Sequence, residues 1–187
     1  VRPLGARVRL GAPDRKVLPR RTHMLLEVTI DSQRWITDVG VGAASLTGAL
    51  RLDDGVEQAT PHDKRRLMRD GGKWFHQVRR GEQWIDICEF TEDTMPLIDR
   101  VVANWYTSTN PDSNFRANPI AALALPGGRR VTLSGGDLKF WDAEGHVRER
   151  TLTNPAALLS ALRQYFGIDL PAGTRLTPAA PLHFLCD

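Results

Sequence analysis

Over its first two thirds the chain sets short apolar or β-branched runs between turn residues, and that rhythm predicts strands. Arg7-Val8-Arg9-Leu10 alternates, and residues 24–30 are apolar and β-branched. Asp31-Ser32-Gln33 supplies a turn, after which residues 34–39 return as a second arm. Residues 74–78 and 84–88 form a second expected hairpin, joined through residues 79–83. Short strands at this density predict an antiparallel sheet or barrel. Residues 98–106 predict a short helix that runs into a loop rich in Ser, Thr, Asn and Pro. Further strands are expected over 121–125, 130–133, 138–141 and 147–152, with Pro126-Gly127-Gly128 and Ala143-Glu144-Gly145 as turns. Asn154 can cap a last helix, Pro155 suits its first turn and Gly167 can end it. Leu158, Leu159, Leu162, Tyr165 and Phe166 then share one face, the pattern of a packing helix. Prolines at 171, 178 and 181 predict an irregular tail.

Composition narrows the class. The 187 residues are 41% hydrophobic and 25% charged, the balance of a soluble globular protein, and five tryptophans and six phenylalanines supply core material. No run approaches the ~20 apolar residues of a membrane span. Val1 to Arg7 lacks an apolar signal core, so no export signal is expected. The net charge of +3 and pI of about 9.2 are mild and dispersed, which argues against nucleic acid as a partner. The pairs Arg20-Arg21, Arg65-Arg66, Arg79-Arg80 and Arg129-Arg130 are expected on a solvated surface. Cys88 and Cys186 make neither a disulfide framework nor a CxxC pattern, so a reducing cytoplasm is expected. His23, His62, His76, His146 and His183 lack zinc spacing, so no metal is expected.

Candidate chemistry lies on the first hairpin. With Asp31 and Ser32 at its tip, Ile30 faces Gln33 and His23 lies opposite Gly40. Asp38 is then one diagonal step from His23, roughly 7–8 Å between backbones on a shared face. A one-residue slip would separate them. A buried Asp beside a His fixes its tautomer and stabilises the imidazolium. Such a His can lower the pKa of a neighbouring cysteine and hold it as a thiolate. Gly40 and Gly42 allow backbone to approach a ligand closely. On spacing alone, such a pair is more often a surface hydrogen bond than a catalytic pair.

Arg21-Thr22-His23-Met24 followed by a strand and then Asp38-Val39-Gly40-Val41-Gly42 resembles the central signature of the arylamine N-acetyltransferases. Leu4-Gly5-Ala6-Arg7-Val8 resembles the strand that follows that family's cysteine-bearing segment. The run from Asn104 to Phe115 resembles its Trp-Tyr-x-Ser-Thr-x-Pro loop, and Arg163-Gln164-Tyr165-Phe166-Gly167-Ile168 resembles its closing helix. The resemblance implies an α+β fold: an antiparallel β-barrel followed by a C-terminal α/β lid, here without the family's N-terminal helical bundle. The implied domains are a barrel over 1–97 with the His and Asp, an interdomain helix and loop over 98–118, and a lid over 119–187. It also implies a cysteine that takes an acetyl group from acetyl-CoA and passes it to an arylamine or arylhydrazine, with no metal. His23 matches the triad histidine and Asp38 the aspartate. Val41, Gly42, Trp105, Ser108, Thr109 and Phe115 match positions bordering the acceptor and coenzyme.

The family's Arg-Gly-Gly-x-Cys motif has no match in the chain, so the cysteine segment is expected from the same polypeptide or a separate fragment. Without it the chain alone is expected to be inactive. Cys88 and Cys186 match packing and tail positions. Val41 stands where phenylalanine is common, which implies a wider acceptor pocket, and Asn110 stands where histidine is common. An amide synthase or other acyltransferase of the same scaffold, and an inactive binding module, are the competing readings.

Overall fold

The computed structural model describes residues 1–12, 14–171 and 173–175. Cys186, His183 and the prolines at 178 and 181 lie outside the described residues. The chain divides into two units, Val1–Tyr106 and Thr107 onward.

The first unit holds eight strands: β1 (Arg2–Val8), β2 (His23–Ile30), β3 (Gln33–Thr37), β4 (Leu50–Arg51), β5 (Gln58–Ala59), β6 (Lys64–Asp70), β7 (Lys73–Arg80) and β8 (Gln83–Thr94). They form one antiparallel sheet in the spatial order β4-β3-β2-β1-β8-β7-β6-β5. Asp54, just beyond β4, bridges to Leu67 on β6, so the two ends of the sheet curl toward each other as a near-barrel. Alternate positions point inward. Leu4 and Ala6 on β1, Leu25 on β2, Ile36 on β3, Leu67 on β6, Trp74 on β7 and Cys88 and Phe90 on β8 make the core.

β1 is the hinge of the topology, since it pairs with β2 on one edge and with β8 on the other. Pairing shifts between Leu4 and Ala6 on β1 and between His76 and Gln77 on β7, bulges that bend the sheet toward closure. Between β6 and β7, Gly71 and Gly72 both take positive φ, the conformation a two-residue primed turn demands.

Among the described residues the second unit carries a four-stranded antiparallel sheet of β9 (Ile120–Ala124), β10 (Arg130–Ser134), β11 (Asp137–Trp141) and β12 (Val147–Thr151), in the order β12-β11-β10-β9. Helix α3 (Pro155–Phe166) packs Leu158, Ala161 and Leu162 against Val131, Leu133 and Leu138. The Asn154 side chain accepts the Ala157 N–H at 2.9 Å, and Gly167 closes the helix in the left-handed conformation. Both expected caps are therefore in place, and the fold is α+β.

Helix α1 (Leu97–Thr109) departs from expectation: Thr107, Ser108 and Thr109, expected in a loop, are its last turn. Side chains from beyond the helix cap carbonyls of its last turn. Ser113 Oγ donates to Thr107 O at 2.6 Å, and Arg116 Nη1 donates to Thr109 O at 2.6 Å. Pro111 then holds Asn110 out of helical conformation. Phe115, also expected in the loop, sits on the one-turn α2 (Asn114–Ala117). None of the helices among the described residues is long and apolar enough to cross a membrane.

Candidate active site

The β2–β3 hairpin decides where the titratable pair lies. Asp31 and Ser32 at its tip take φ of 49° and 65°, and Ile30 pairs with Gln33, the register expected from the sequence. The last paired rung is Leu26 with Thr37. His23 opens β2 and Asp38 follows β3 directly. There the His23 Nε2 and Asp38 Oδ2 atoms lie 2.8 Å apart.

The environment of the two groups differs. The Asp38 side chain is fully buried, whereas His23 keeps a tenth of its side chain exposed. The carboxylate accepts the Nε2 proton, which leaves the lone pair on Nδ1 as the site for a base. Asp38 Oδ1 also accepts the Gly40 N–H at 2.9 Å. A Cβ at Gly40 would stand 3.1 Å from His23 Cε1, so a bare backbone there keeps the ring free to turn.

The loop that follows is tied to itself. The Leu46 N–H reaches Asp38 O at 2.9 Å, and the Val41 N–H reaches Ser45 Oγ at 3.0 Å. Gly42, at φ 54°, opens a single 3₁₀ turn over Gly42–Ala44. The Val41 side chain is buried and packs with Ala44, Val78 and Ile87.

Behind Asp38 lies a second polar layer that sequence reasoning missed. Arg65 on β6, expected on a solvated surface with Arg66, is completely buried. All five of its N–H groups are engaged. Nε and Nη2 grip the Asp63 carboxylate at 2.6 and 2.8 Å. The loop carbonyls of Ala44 and Ser45 accept at 2.8 and 3.4 Å. The fifth goes from Nη1 to His76 Nε2 at 3.0 Å. A buried arginine needs this density of partners, and Arg65 at a two-residue spacing from the core residue Leu67 was the available sequence signal.

His76 on β7 is fully buried as well. Since Arg65 can only donate, His76 Nε2 accepts and Nδ1 carries the proton. Nδ1 lies 3.9 Å from Cys88 Sγ on β8. Burial, reinforced by the Arg65 cation, pushes the His76 pKa down to about 3. Burial and the surrounding carboxylates push the Cys88 thiol well up, which keeps it protonated and unreactive.

Asp38, His76 and Cys88 bring a carboxylate oxygen, a ring nitrogen and a thiol within 4.8 Å of one another. Those donor types suit a soft divalent metal. Here the Arg65 cation occupies His76 Nε2, and both Asp38 oxygens already accept hydrogen bonds, so the cluster is built as a hydrogen-bonded layer. The second carboxylate-histidine group, Asp142, Glu144 and His146, is exposed on the second unit.

The depressed His76 pKa has a consequence for stability. The unfolded chain takes up a proton at this residue below about pH 6.5, whereas the folded chain refuses it until about pH 3. Folding stability should therefore decline steadily on acidification through this window. Urea unfolding followed by tryptophan fluorescence at pH 6.5, 5.5 and 4.5 reads it. Equal stabilities at the three pH values would mean that His76 protonates in the folded state.

Of the other positions singled out in the sequence, Gly42 lies on the loop after Asp38, Trp105, Ser108 and Thr109 on α1, and Phe115 on α2. The Asn110 side chain accepts the Asp112 N–H at 2.8 Å, closing the turn after α1.

Comparison with known proteins bears on this arrangement. The N-acetyltransferase family model matches residues 1–175. The arylamine N-acetyltransferase of Escherichia coli K12 is 33% identical over 168 residues, covering 90% of this chain and 59% of its own. That of Mycobacterium tuberculosis is 37% identical over 161 residues, covering 85% and 56%. Among solved structures, the Salmonella typhimurium arylamine N-acetyltransferase superposes with a TM-score of 0.84 at 33% identity, covering 95% of this chain and 65% of that one. The Mycobacterium marinum enzyme in complex with CoA gives 0.82 at 32% identity, covering 89% and 62%. The chain thus spans about three fifths of the length of the curated relatives it matches. A family model matching nearly the whole chain and a shared fold at this identity together establish that the chain belongs to the arylamine N-acetyltransferase family.

Proposed function

We propose that this chain supplies the base and the orienting acid of a cysteine-dependent acetyl transfer from acetyl-CoA to an arylamine or arylhydrazine. The observation that carries the reading is the 2.8 Å contact between His23 Nε2 and the buried Asp38 carboxylate. His23 Nδ1 takes the proton of a cysteine thiol, and the thiolate adds to the thioester carbonyl of acetyl-CoA. The bond from the acetyl carbon to the coenzyme sulfur breaks, and the departing thiolate recovers the proton from the imidazolium. The amine nitrogen then attacks the acyl-enzyme, its proton passes to His23, and the enzyme thiolate leaves.

The nucleophile comes from outside these 187 residues. Cys88 is in the barrel core with its pKa raised, and it faces a neutral His76 rather than His23. The Gly40-Val41-Gly42 backbone approaches the acyl group, and Val41 supports that loop from within its apolar cluster. Trp105, Ser108, Thr109 and Phe115 match the family's acceptor and pantetheine positions, and that resemblance supports a binding role for them. The relatives' names and the CoA complex of the Mycobacterium marinum enzyme support the choice of substrates.

The test is an assay of the 187-residue chain with acetyl-CoA and an arylhydrazine, in which no turnover is expected. Turnover by the chain alone would overturn the need for an external thiol, and turnover that survives Cys88→Ala and Cys186→Ala together would overturn the need for any thiol.

A further inference from the structure

We propose that Arg65, acting through His76, is a positioning device for Asp38: a second layer that holds the buried carboxylate aimed at His23. This inference rests on Asp38 being the orienting acid. A fully buried carboxylate is costly unless its charge is compensated on every side. From the front, Asp38 receives the His23 Nε2–H and the Gly40 N–H. His76 on β7 and Cys88 on β8 also lie close to the carboxylate.

The Nε2 of His76 is held as an acceptor by Arg65 Nη1, so the Nδ1–H end of the ring dipole points away from the guanidinium. A ring nitrogen of His76 and Cys88 Sγ both lie within 4.8 Å of the Asp38 carboxylate. The Nδ1–H end faces Cys88 Sγ at 3.9 Å, so the ring sets the Arg65 cation's field beside the carboxylate without placing a mobile proton between them. Its pKa of about 3 keeps it neutral through the physiological range.

Arg65 acts on the same group by a mechanical route. Its guanidinium donates to the carbonyls of Ala44 and Ser45, while Asp38 O accepts the N–H of Leu46. The loop that carries Asp38 is therefore pinned to β6 from beneath. Asp63, itself nearly buried, fixes the orientation of the fork through two parallel hydrogen bonds, and Arg80 lies 3.8 Å from the same carboxylate. The titratable and charged groups around the pair are thus Asp38 after β3, Asp63 and Arg65 at β6, His76 and Arg80 on β7, and Cys88 on β8.

The readout is the titration midpoint of His23, followed by NMR in the full chain with histidine labelled at Cε1. In His76→Phe the carboxylate loses the dipole behind it and leans more heavily on His23, which favours the imidazolium. The midpoint should rise by about 0.5–1 pH unit, a roughly 3–10-fold gain in proton affinity. His76→Gln, which can accept from Arg65 and present an N–H dipole on the side of Cys88 and Asp38, should return the midpoint to within about 0.2 unit of wild type. Arg65→Lys keeps the cation but cannot serve Asp63, the loop carbonyls and His76 at once, so it should move the midpoint upward too.

A purely structural role for His76 would lower the melting temperature and leave His23 where it was. An unchanged midpoint in folded His76→Phe, or a shift in His76→Gln as large as in His76→Phe, overturns the proposal. If His76→Phe does not fold, an unchanged midpoint in Arg65→Lys overturns it instead. The titration needs no turnover, so its outcome is separable from failure of the acetyl-transfer reading, which the assay above decides.

Discussion

Replacing Asp38 with asparagine, in the protein supplied with its cysteine segment, should cut the rate of acyl-enzyme formation by about 10³–10⁴-fold. The size follows from the tautomer. Asp38 accepts the Nε2 proton of His23 and so leaves Nδ1 bare for the thiol. An asparagine keeps the shape, but Gly40 donates to Oδ1 and so selects that oxygen as the amide carbonyl. The amide NH₂ then occupies the Oδ2 position and donates to Nε2, which moves the ring proton to Nδ1. The base is blocked by its own proton, while substrate contacts and the hairpin register are untouched. Stopped-flow acylation by acetyl-CoA measures the rate, and the affinity for CoA should stay within about threefold. His23→Ala should abolish the burst altogether. A normal burst in folded Asp38→Asn would exclude Asp38 as the orienting acid.

The largest loss of stability is expected at a different buried charge. Glu89→Ala should destabilise the first unit by about 3–5 kcal/mol, because it takes the nearest carboxylate from a buried cation and leaves it Asp86 at 3.9 Å. Arg9 and Glu89 are both nearly inaccessible, and Arg9 Nη1 reaches Glu89 Oε2 at 2.8 Å. Lys73 Nζ lies 3.0 Å from the other oxygen, and Arg7 Nε 3.9 Å from it, so three cations converge on one carboxylate. Arg9 also donates to Val17 O at 3.1 Å and to Asp14 O, which fastens the loop between β1 and β2. Thermal unfolding should move down by about 6–20 °C at 2–4 °C per kcal/mol for a chain of this size. Removal of Glu149, whose contact with Lys139 lies on the exposed face of the second sheet, should change nothing measurable. Similar losses for Glu89→Ala and Glu149→Ala would mean that the Arg9–Glu89 contact contributes no more than a surface pair.

Which features were legible in the sequence follows from how local their causes are. The β2–β3 hairpin was, because two turn residues and a period-two pattern determine its register, and the register puts His23 and Asp38 within reach. Helix α3 was, because Asn154, Pro155 and Gly167 mark its ends within its own neighbourhood. The last turn of α1 was not, since Thr107 to Thr109 are held helical by Ser113 and Arg116 beyond a proline that signals a stop. β6 was hidden by its composition. Lys64-Arg65-Arg66 looks like a solvated face, and it takes Asp63 just before the strand, His76 on β7 and the loop after Asp38 to make a buried Arg65 tolerable. The layer behind Asp38 was invisible for the same reason: its members stand at positions 38, 65, 76 and 88, and no short-range pattern joins them.

The position of β1 at the centre of the sheet sets an order of assembly. The hairpin of β2 and β3 closes a loop of two residues and forms within about 1–10 μs. β1 joins it over the pairing of Arg2 with Glu27 to Ala6 with His23. The other edge of β1 must wait for β8, because Val8 pairs with Cys88. At about 5–20 residues per second, the ribosome needs roughly 3–11 s to travel from Asp38 to the end of β8. For that interval β1 lacks its β8 neighbour, and the loop after Asp38 lacks the Arg65 contacts that hold it. Chaperone demand should accordingly peak while residues 40 to 90 are being made, and slowing translation across β6 and β7 should lower the yield of folded protein more than slowing it across the second unit.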